Sequence, residues 1–175
     1  GKLALTASTG SEMTAVGSGA ADGMTNATDV VAVGFNAAGD GNHSGTTAVG
    51  HSALATNCGN DNTAIGRDAL TAFGGGDATA VGSGAGKSLT SGAANTAVGY
   101  NALDATDDGA RNTALGSVAL SANCADDNTA LGYAALNVFT GSDATAVGSG
   151  ALDASVSDVA VTAVGQNALG VCNGG

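Results

Sequence analysis

Hydrophobic and polar positions recur along this chain with one short, nearly constant period, the step from Gly17 to Gly34 or from Gly34 to Gly50. Each period opens on a glycine and closes on Thr-Ala (once Val-Ala) followed by Val, Ile or Leu. The glycines are Gly1, Gly17, Gly34, Gly50, Gly66, Gly82, Gly99, Gly116, Gly132, Gly148 and Gly165. The residue two before each glycine from Gly17 on is alanine. The residue three after each is alanine again, and the next is mostly leucine, as in Ala53-Leu54 and Ala102-Leu103. A fixed period of this kind marks a repeat architecture, in which each unit buries its apolar face against its neighbours. Within Thr-Ala-Val, strand alternation sends Thr and Val to one side and Ala to the other. Helix is the rival reading of Ala-rich text, but a glycine and a turn cluster in every period would break it repeatedly.

The pattern therefore predicts an all-β chain, a parallel β-solenoid of about eleven coils forming one domain over residues 1–175. Each coil reads as a strand, a glycine bend that favours positive φ, a short strand and a loop. Val and Leu are expected to fill the interior, and the alanine columns to mark where another backbone approaches. A longer period lies on top: residues 50–99 align with 116–165 at an offset of 66, so the coils cycle through four types. Cys58 and Cys124 mark the first, Phe73 and Phe139 the second, a Gly-Ser-Gly-Ala run from Gly17, Gly82 and Gly148 the third, and Asn36, Asn101 and Asn167 the fourth. Tandem duplication accounts for the cycle without any function.

Composition removes several alternatives. Intrinsic disorder combines low hydrophobicity with high net charge, whereas mean hydropathy here is +0.19. Collagen needs glycine at every third residue and abundant proline, and this chain has no proline. The net charge is −11 and the four basic residues, Lys2, Arg67, Lys87 and Arg111, are scattered, which argues against nucleic acid as a partner and against an anionic membrane surface. No apolar run approaches the roughly 20 residues of a membrane span.

The unit Thr-Ala-Val-Gly-x-x-Ala-Leu with asparagine in the loop resembles the YadA-like head repeat of trimeric autotransporter adhesins. It is equally similar to the Asn-Thr-Ala-Val-Gly-x-x-Ala-Leu arrays of phage and other viral tail fibres. The resemblance implies a left-handed parallel β-roll, three chains side by side, and a role in attachment outside the cell, on a cell surface or on a virion. Burial points the same way. A pair of large aliphatics per coil is little against the cost of ordering a whole repeat of backbone, and docking the alanine faces of neighbouring chains would supply more. The expected function is a structural, adhesive fibre segment whose partners are its own copies (a homotrimer) and a host-surface receptor or glycan. The alternative is a self-assembling extracellular filament subunit, and a third reading is a solenoid that binds ice, calcium or glycan.

Candidate chemistry is sparse. His43 and His51 are the only histidines, and neither has the neighbours of a nucleophile–base pair, so no enzyme and no cofactor is expected. Asn60-Asp61-Asn62, Asp107-Asp108 and Asp126-Asp127-Asn128 are oxygen-rich but lack calcium-site spacing and read as solvated turns. The residue after each glycine varies: Lys2, Phe35, His51, Arg67, Tyr100, Tyr133 and Gln166, with serine between. This post-glycine column is a candidate contact stripe, or the site of ordinary lateral packing between protomers. Thr fills the strand in nine of ten motifs, as in ice-binding solenoids, although it would share its face with a core Val. Asn26-Ala27-Thr28 and Asn42-His43-Ser44 match the glycosylation acceptor pattern. Cys58 and Cys124, at one loop position four coils apart, would lie about 19 Å apart, and Cys172 about 14 Å further. A disulfide needs Cα atoms within about 7 Å, so the expectation is free thiols or bonds between chains. Prediction extends to the array itself, which is expected to continue beyond Gly175.

Overall fold

The computed structural model describes residues 1–154 and 160–170. Ten strands follow one another: β1 Ser11–Val16, β2 Thr28–Val33, β3 Thr47–Val49, β4 Thr63–Ile65, β5 Thr79–Val81, β6 Thr96–Val98, β7 Thr113–Leu115, β8 Thr129–Leu131, β9 Thr145–Val147 and β10 Thr162–Val164. They form one parallel sheet in sequence order, and there is no helix among the described residues. The protein is a β-solenoid. Register is set by the motif, with Ala48 beside Ala64, Ala64 beside Ala80 and Ala80 beside Ala97, so from β3 on Thr stacks on Thr, Ala on Ala and aliphatic on aliphatic. The eleventh repeat, from Gly165, adds a corner and no strand among the described residues.

The interior differs from the sequence expectation in one column. The strand alanines Ala32, Ala48, Ala64, Ala80, Ala114, Ala130 and Ala146 are fully buried, and so are the corner pairs Ala53-Leu54, Ala69-Leu70 and Ala102-Leu103. The residue before the glycine points outward: Val16, Ile65, Leu115, Leu131 and Val164 are exposed. Thr and Val do share a face, but it is the outer one. Leucine fills the coil as expected; valine does not. The physical reason is room. Several inward side chains must fit within one short coil, so the strand contributes its smallest side chain and leaves the bulk to the leucine and to one residue further round. The alanine columns consequently line the interior and offer no docking face to another chain.

A second correction concerns the expected short strand after the glycine. Asn101 and Leu103 have φ of 49° and 56°, and Ser52 and Leu54 repeat this at 54° and 47°. Alternating left-handed residues turn a tight corner in place of an extended segment. That conformation costs an L-residue on the order of 1–2 kcal/mol, offset here by coil-to-coil hydrogen bonds. The Ser52 N–H donates to Phe35 O at 2.9 Å in one direction and the Leu54 N–H to Ala69 O at 3.0 Å in the other. The motif glycine is needed at this corner for two reasons. At Gly66 φ is 140°, which strongly favours glycine, and a methyl there would collide with the carbonyl of Gly82 in the next coil.

Just before the strands, buried asparagines tie the coils together. The Asn62 side chain donates to Gly59 O (2.8 Å) and Gly75 O (3.1 Å) while its oxygen accepts the Ala78 N–H at 2.9 Å. Asn95, Asn112 and Asn128 stand four residues before their glycines like Asn62, and each joins its neighbours in the same way. The expectation of solvated turns fails for Asn62 and Asn128, which are fully buried, because each amide finds backbone partners in its own coil and in the next. Asp61, Asp107, Asp108 and Asp127 do face solvent.

These contacts give the four-coil cycle a packing basis that duplication alone did not require. Methyls built on Gly84 or Gly150 would collide with the Asn101 or Asn167 side-chain oxygen of the following coil, so those two Gly-Ser-Gly-Ala coils are matched to the asparagine coil that follows, while at Gly19 the contact to Asn36 is looser. Phe73 and Phe139, both fully buried, occur in coils whose fourth residue before the glycine is Ala78 or Ala144 instead of asparagine. A large side chain is balanced by a small one within the same coil.

Candidate functional site: the outer sheet face and the post-glycine column

Strands β3 to β10 consist only of Thr, Ala and an aliphatic residue, so the outer face of that sheet carries a column of hydroxyls beside a column of branched aliphatics. Thr79, Thr96, Thr113 and Thr162 are exposed, with Thr47, Thr63, Thr129 and Thr145 half-buried. In the aliphatic column Val16, Ile65, Leu115, Leu131 and Val164 are exposed, up to 70% at Val164, and Val33, Val49, Val81, Val98 and Val147 are half-buried. In-register pairing repeats both columns at the strand spacing of about 4.8 Å, so the seven steps from β3 to β10 make a stripe about 34 Å long. It crosses no charge between β3 and β10.

Round the glycine corner the post-glycine column is exposed too. Lys2, Phe35, His51, Arg67, Tyr100 and Tyr133 all reach solvent, but the fold does not bring all six together. Phe35, His51 and Arg67 occupy consecutive coils, Phe35 against His51 and Arg67 joined to His51 through Asp68. The Phe35 and His51 rings stack at 5.1 Å between centroids with 24° between planes. Asp68 lies 3.5 Å from Arg67 Nε and 3.9 Å from His51 Nδ1. Ser18 and Ser83 bound this group. Lys2 stands beyond Ser18, and Tyr100 and Tyr133 are separated by the coil of Ser117.

The cysteines lie elsewhere. Cys58 and Cys124 are buried and free, and burial pushes the Cys58 thiol up to about 11 and raises that of Cys124 as well. A thiol held protonated inside the coil reacts poorly. Interchain disulfides through these two do not fit that placement, and Cys172 lies outside the described residues. The sequence located both thiols in the loops without showing that the side chains turn inward.

His43 is the other buried group with unusual surroundings. It is fully enclosed, and its ring nitrogens make no hydrogen bond of ordinary geometry, the Asp40 backbone alone lying near enough to favour the protonated ring. Burial lowers its pKa to about 4, so the ring is neutral at ordinary pH. On the loop surface Arg111 bridges Asp126 (2.9 Å) and Asp127 (2.7 Å) across one coil step, and its hydrogen bond holds the Asp127 carboxyl below its usual range. Glu12, with Asp29 stacked on it, is raised. Among the described residues no three His, Cys, Asp or Glu side chains converge as a metal site, and no pocket is present.

Sequence reasoning missed two features, the outward aliphatic column and the asparagine ties. The ties had a visible signal: asparagine recurs four before the glycine at Asn62, Asn95, Asn112 and Asn128, a fixed register that free turns do not need. Compared with known proteins, the chain matches no family model, no curated protein and no solved structure.

Proposed function

We propose that this chain is a structural, adhesive rod segment that packs side by side with copies of itself through the outer Thr–aliphatic face, as a homotrimer of the kind its repeat unit resembles. One observation carries the reading: an uncharged column of Val, Ile and Leu runs along the outer face of the described sheet, exposed at Val16, Ile65, Leu115, Leu131 and Val164 and half-buried at the strands between. A continuous apolar stripe on a soluble protein marks an interaction surface. The partner that suits it best is another copy, because only a chain of the same period meets it in step at every coil. The chain's acidic groups lie outside β3 to β10, so apposed sheets would not set carboxylate against carboxylate there. Attachment to a surface then belongs to the corners and loops, and the setting is extracellular, on a cell surface or on a virion.

Mass in solution tests this. Sedimentation equilibrium should give three times the chain mass of 16.2 kDa, independent of concentration, and Val98→Asp should reduce it to the monomer. A mass that climbs with concentration would select the filament alternative, and a wild-type monomer at micromolar concentration would sink both.

A second reading gains from the same face. The objection to ice binding was that Thr shares its face with a core Val, and that Val is on the surface. Ranked Thr and Val at strand spacing are an ordered, uncharged surface for bound water. Thermal hysteresis from a monomeric wild-type protein, lost in Thr113→Glu, would favour this reading over self-association.

A further inference from the structure

We propose that Phe35, His51, Arg67 and Asp68 form a binding ledge for a neutral oligosaccharide. The inference rests on the attachment reading above and names the chemistry of the attached surface. In the post-glycine column large groups follow one another only from Phe35 to Arg67; beyond each end the column drops to Ser18 or Ser83. The two rings stack on each other while Phe35 remains 57% exposed and the His51 and Arg67 side chains 57% and 71% exposed. Their pairing is the one aromatic contact among the described residues. Three coils give a ledge two steps long, about 10 Å, which exceeds a single pyranose ring and suits an oligosaccharide lying along the rod.

The chemistry is that of a sugar. Apolar C–H faces of pyranose rings pack on aromatic carbon, the large rigid contact area that makes aromatics effective at binding surfaces. Beside the rings, the Asp68 carboxylate accepts hydrogen bonds and the Arg67 guanidinium donates them, so adjacent hydroxyls, which both donate and accept, find complementary partners. Arg67 and Asp68 neutralise each other at 3.5 Å, so the ledge has little net charge with which to select an anion. The −11 charge of the chain repels sialylated or sulfated sugars further. Tyr100 and Tyr133 are as exposed as Phe35, but each stands between serine coils, without a ring neighbour or an ion pair beside it.

The test is binding to an immobilised panel of neutral gluco-, galacto- and manno-configured oligosaccharides and their sialylated or sulfated counterparts, with sedimentation run on the same samples. The wild type should bind at least one neutral oligosaccharide and its acidic counterpart more weakly. Phe35→Ala and Asp68→Asn should each weaken binding by roughly tenfold or more, the scale of one lost ring contact or charged hydrogen bond, with mass unchanged. Tyr133→Ala should bind as the wild type does. No neutral oligosaccharide bound at millimolar concentration, preference for acidic sugars, or an equal loss in Tyr133→Ala would each overturn the proposal. So would a lower mass for Phe35→Ala, which would make the ledge a contact between protomers. A wild-type monomer that still binds sugar would refute the side-by-side rod and leave the ledge standing.

Discussion

The coils 34–49 and 99–115 occupy the same place in the four-coil cycle, each marked by a left-handed asparagine, Asn36 or Asn101. Both bury two polar side chains. In the later coil these are Thr106 and Asn112, and both are satisfied. The Thr106 hydroxyl donates to Ala122 O at 3.2 Å and lies 3.2 Å from Cys124 Sγ. The Asn112 backbone N–H donates to Asn95 Oδ1 (2.8 Å), its side chain donates to Ala125 O (2.9 Å), and its oxygen accepts the Asn128 N–H (2.9 Å). In the earlier coil Thr46 reaches only Ser44 O, at 3.4 Å, and His43 makes no hydrogen bond of ordinary geometry, with the Asp40 backbone alone nearby. The solenoid thus accepts a buried polar group readily when its donors and acceptors match two stacked backbones. Asparagine does so; histidine does not. An unmatched buried group costs about 1–3 kcal/mol, so the earlier coil is the weaker one.

The largest expected effect removes what the two coils share. Ala114→Leu or Ala48→Leu should overpack an interior that holds only a methyl there, costing about 3 kcal/mol or more in either coil, measured by thermal unfolding. A melting midpoint equal to wild type would show that the strand alanines are not core. Next, Asn112→Ala should cost about 3 kcal/mol by stranding several backbone groups, whereas Thr46→Val should change stability by well under about 1 kcal/mol. Equal losses would erase the contrast.

Acid should act on the earlier coil first. The His43 pKa is about 4 in the fold against 6.5 for a free histidine, so above pH 6.5 neither state binds the proton and this residue adds no pH dependence. Between pH 6.5 and 4 the unfolded chain takes up the proton and the fold does not, so stability falls with falling pH, by about 2 kcal/mol at pH 5. His43→Leu should remove that slope and raise stability at neutral pH by about 1–2 kcal/mol; an unchanged slope would place the acid sensitivity elsewhere. The smallest effect is at the surface. Arg111→Ala breaks the bridges to Asp126 and Asp127, but exposed pairs contribute little, and the midpoint should not move measurably at physiological salt.

Much of this molecule was legible because its sequence is periodic. Ten motifs at near-constant spacing left one economical arrangement, coils stacked in register, and Gly66 or Gly82 could be placed at a bend from their recurrence alone. The candidate surface was legible only in outline. Phe35, His51, Arg67, Tyr100 and Tyr133 share a column in the text, and nothing there distinguishes the three that are linked from the two that stand alone, since Asp68, which joins Arg67 to His51, enters the group from the neighbouring column.

What the sequence by itself determined was the period, the strand at each Thr-Ala-Val and the pairing of Thr with Val on one face, because alternation along a strand is a local property. Which face turned inward was a tertiary decision. Alternation is symmetric between the two sides, and hydrophobicity alone favoured valine for the core. The closed coil reversed that choice, because the leucine of the corner and a residue such as Phe73 or Asn112 already fill the narrow cross-section, leaving the strand room for alanine alone. The same closure buried the thiols of Cys58 and Cys124 and left His43 without a well-formed hydrogen bond. Those outcomes depend on which backbone lies one coil above and below, and a single repeat does not contain that information.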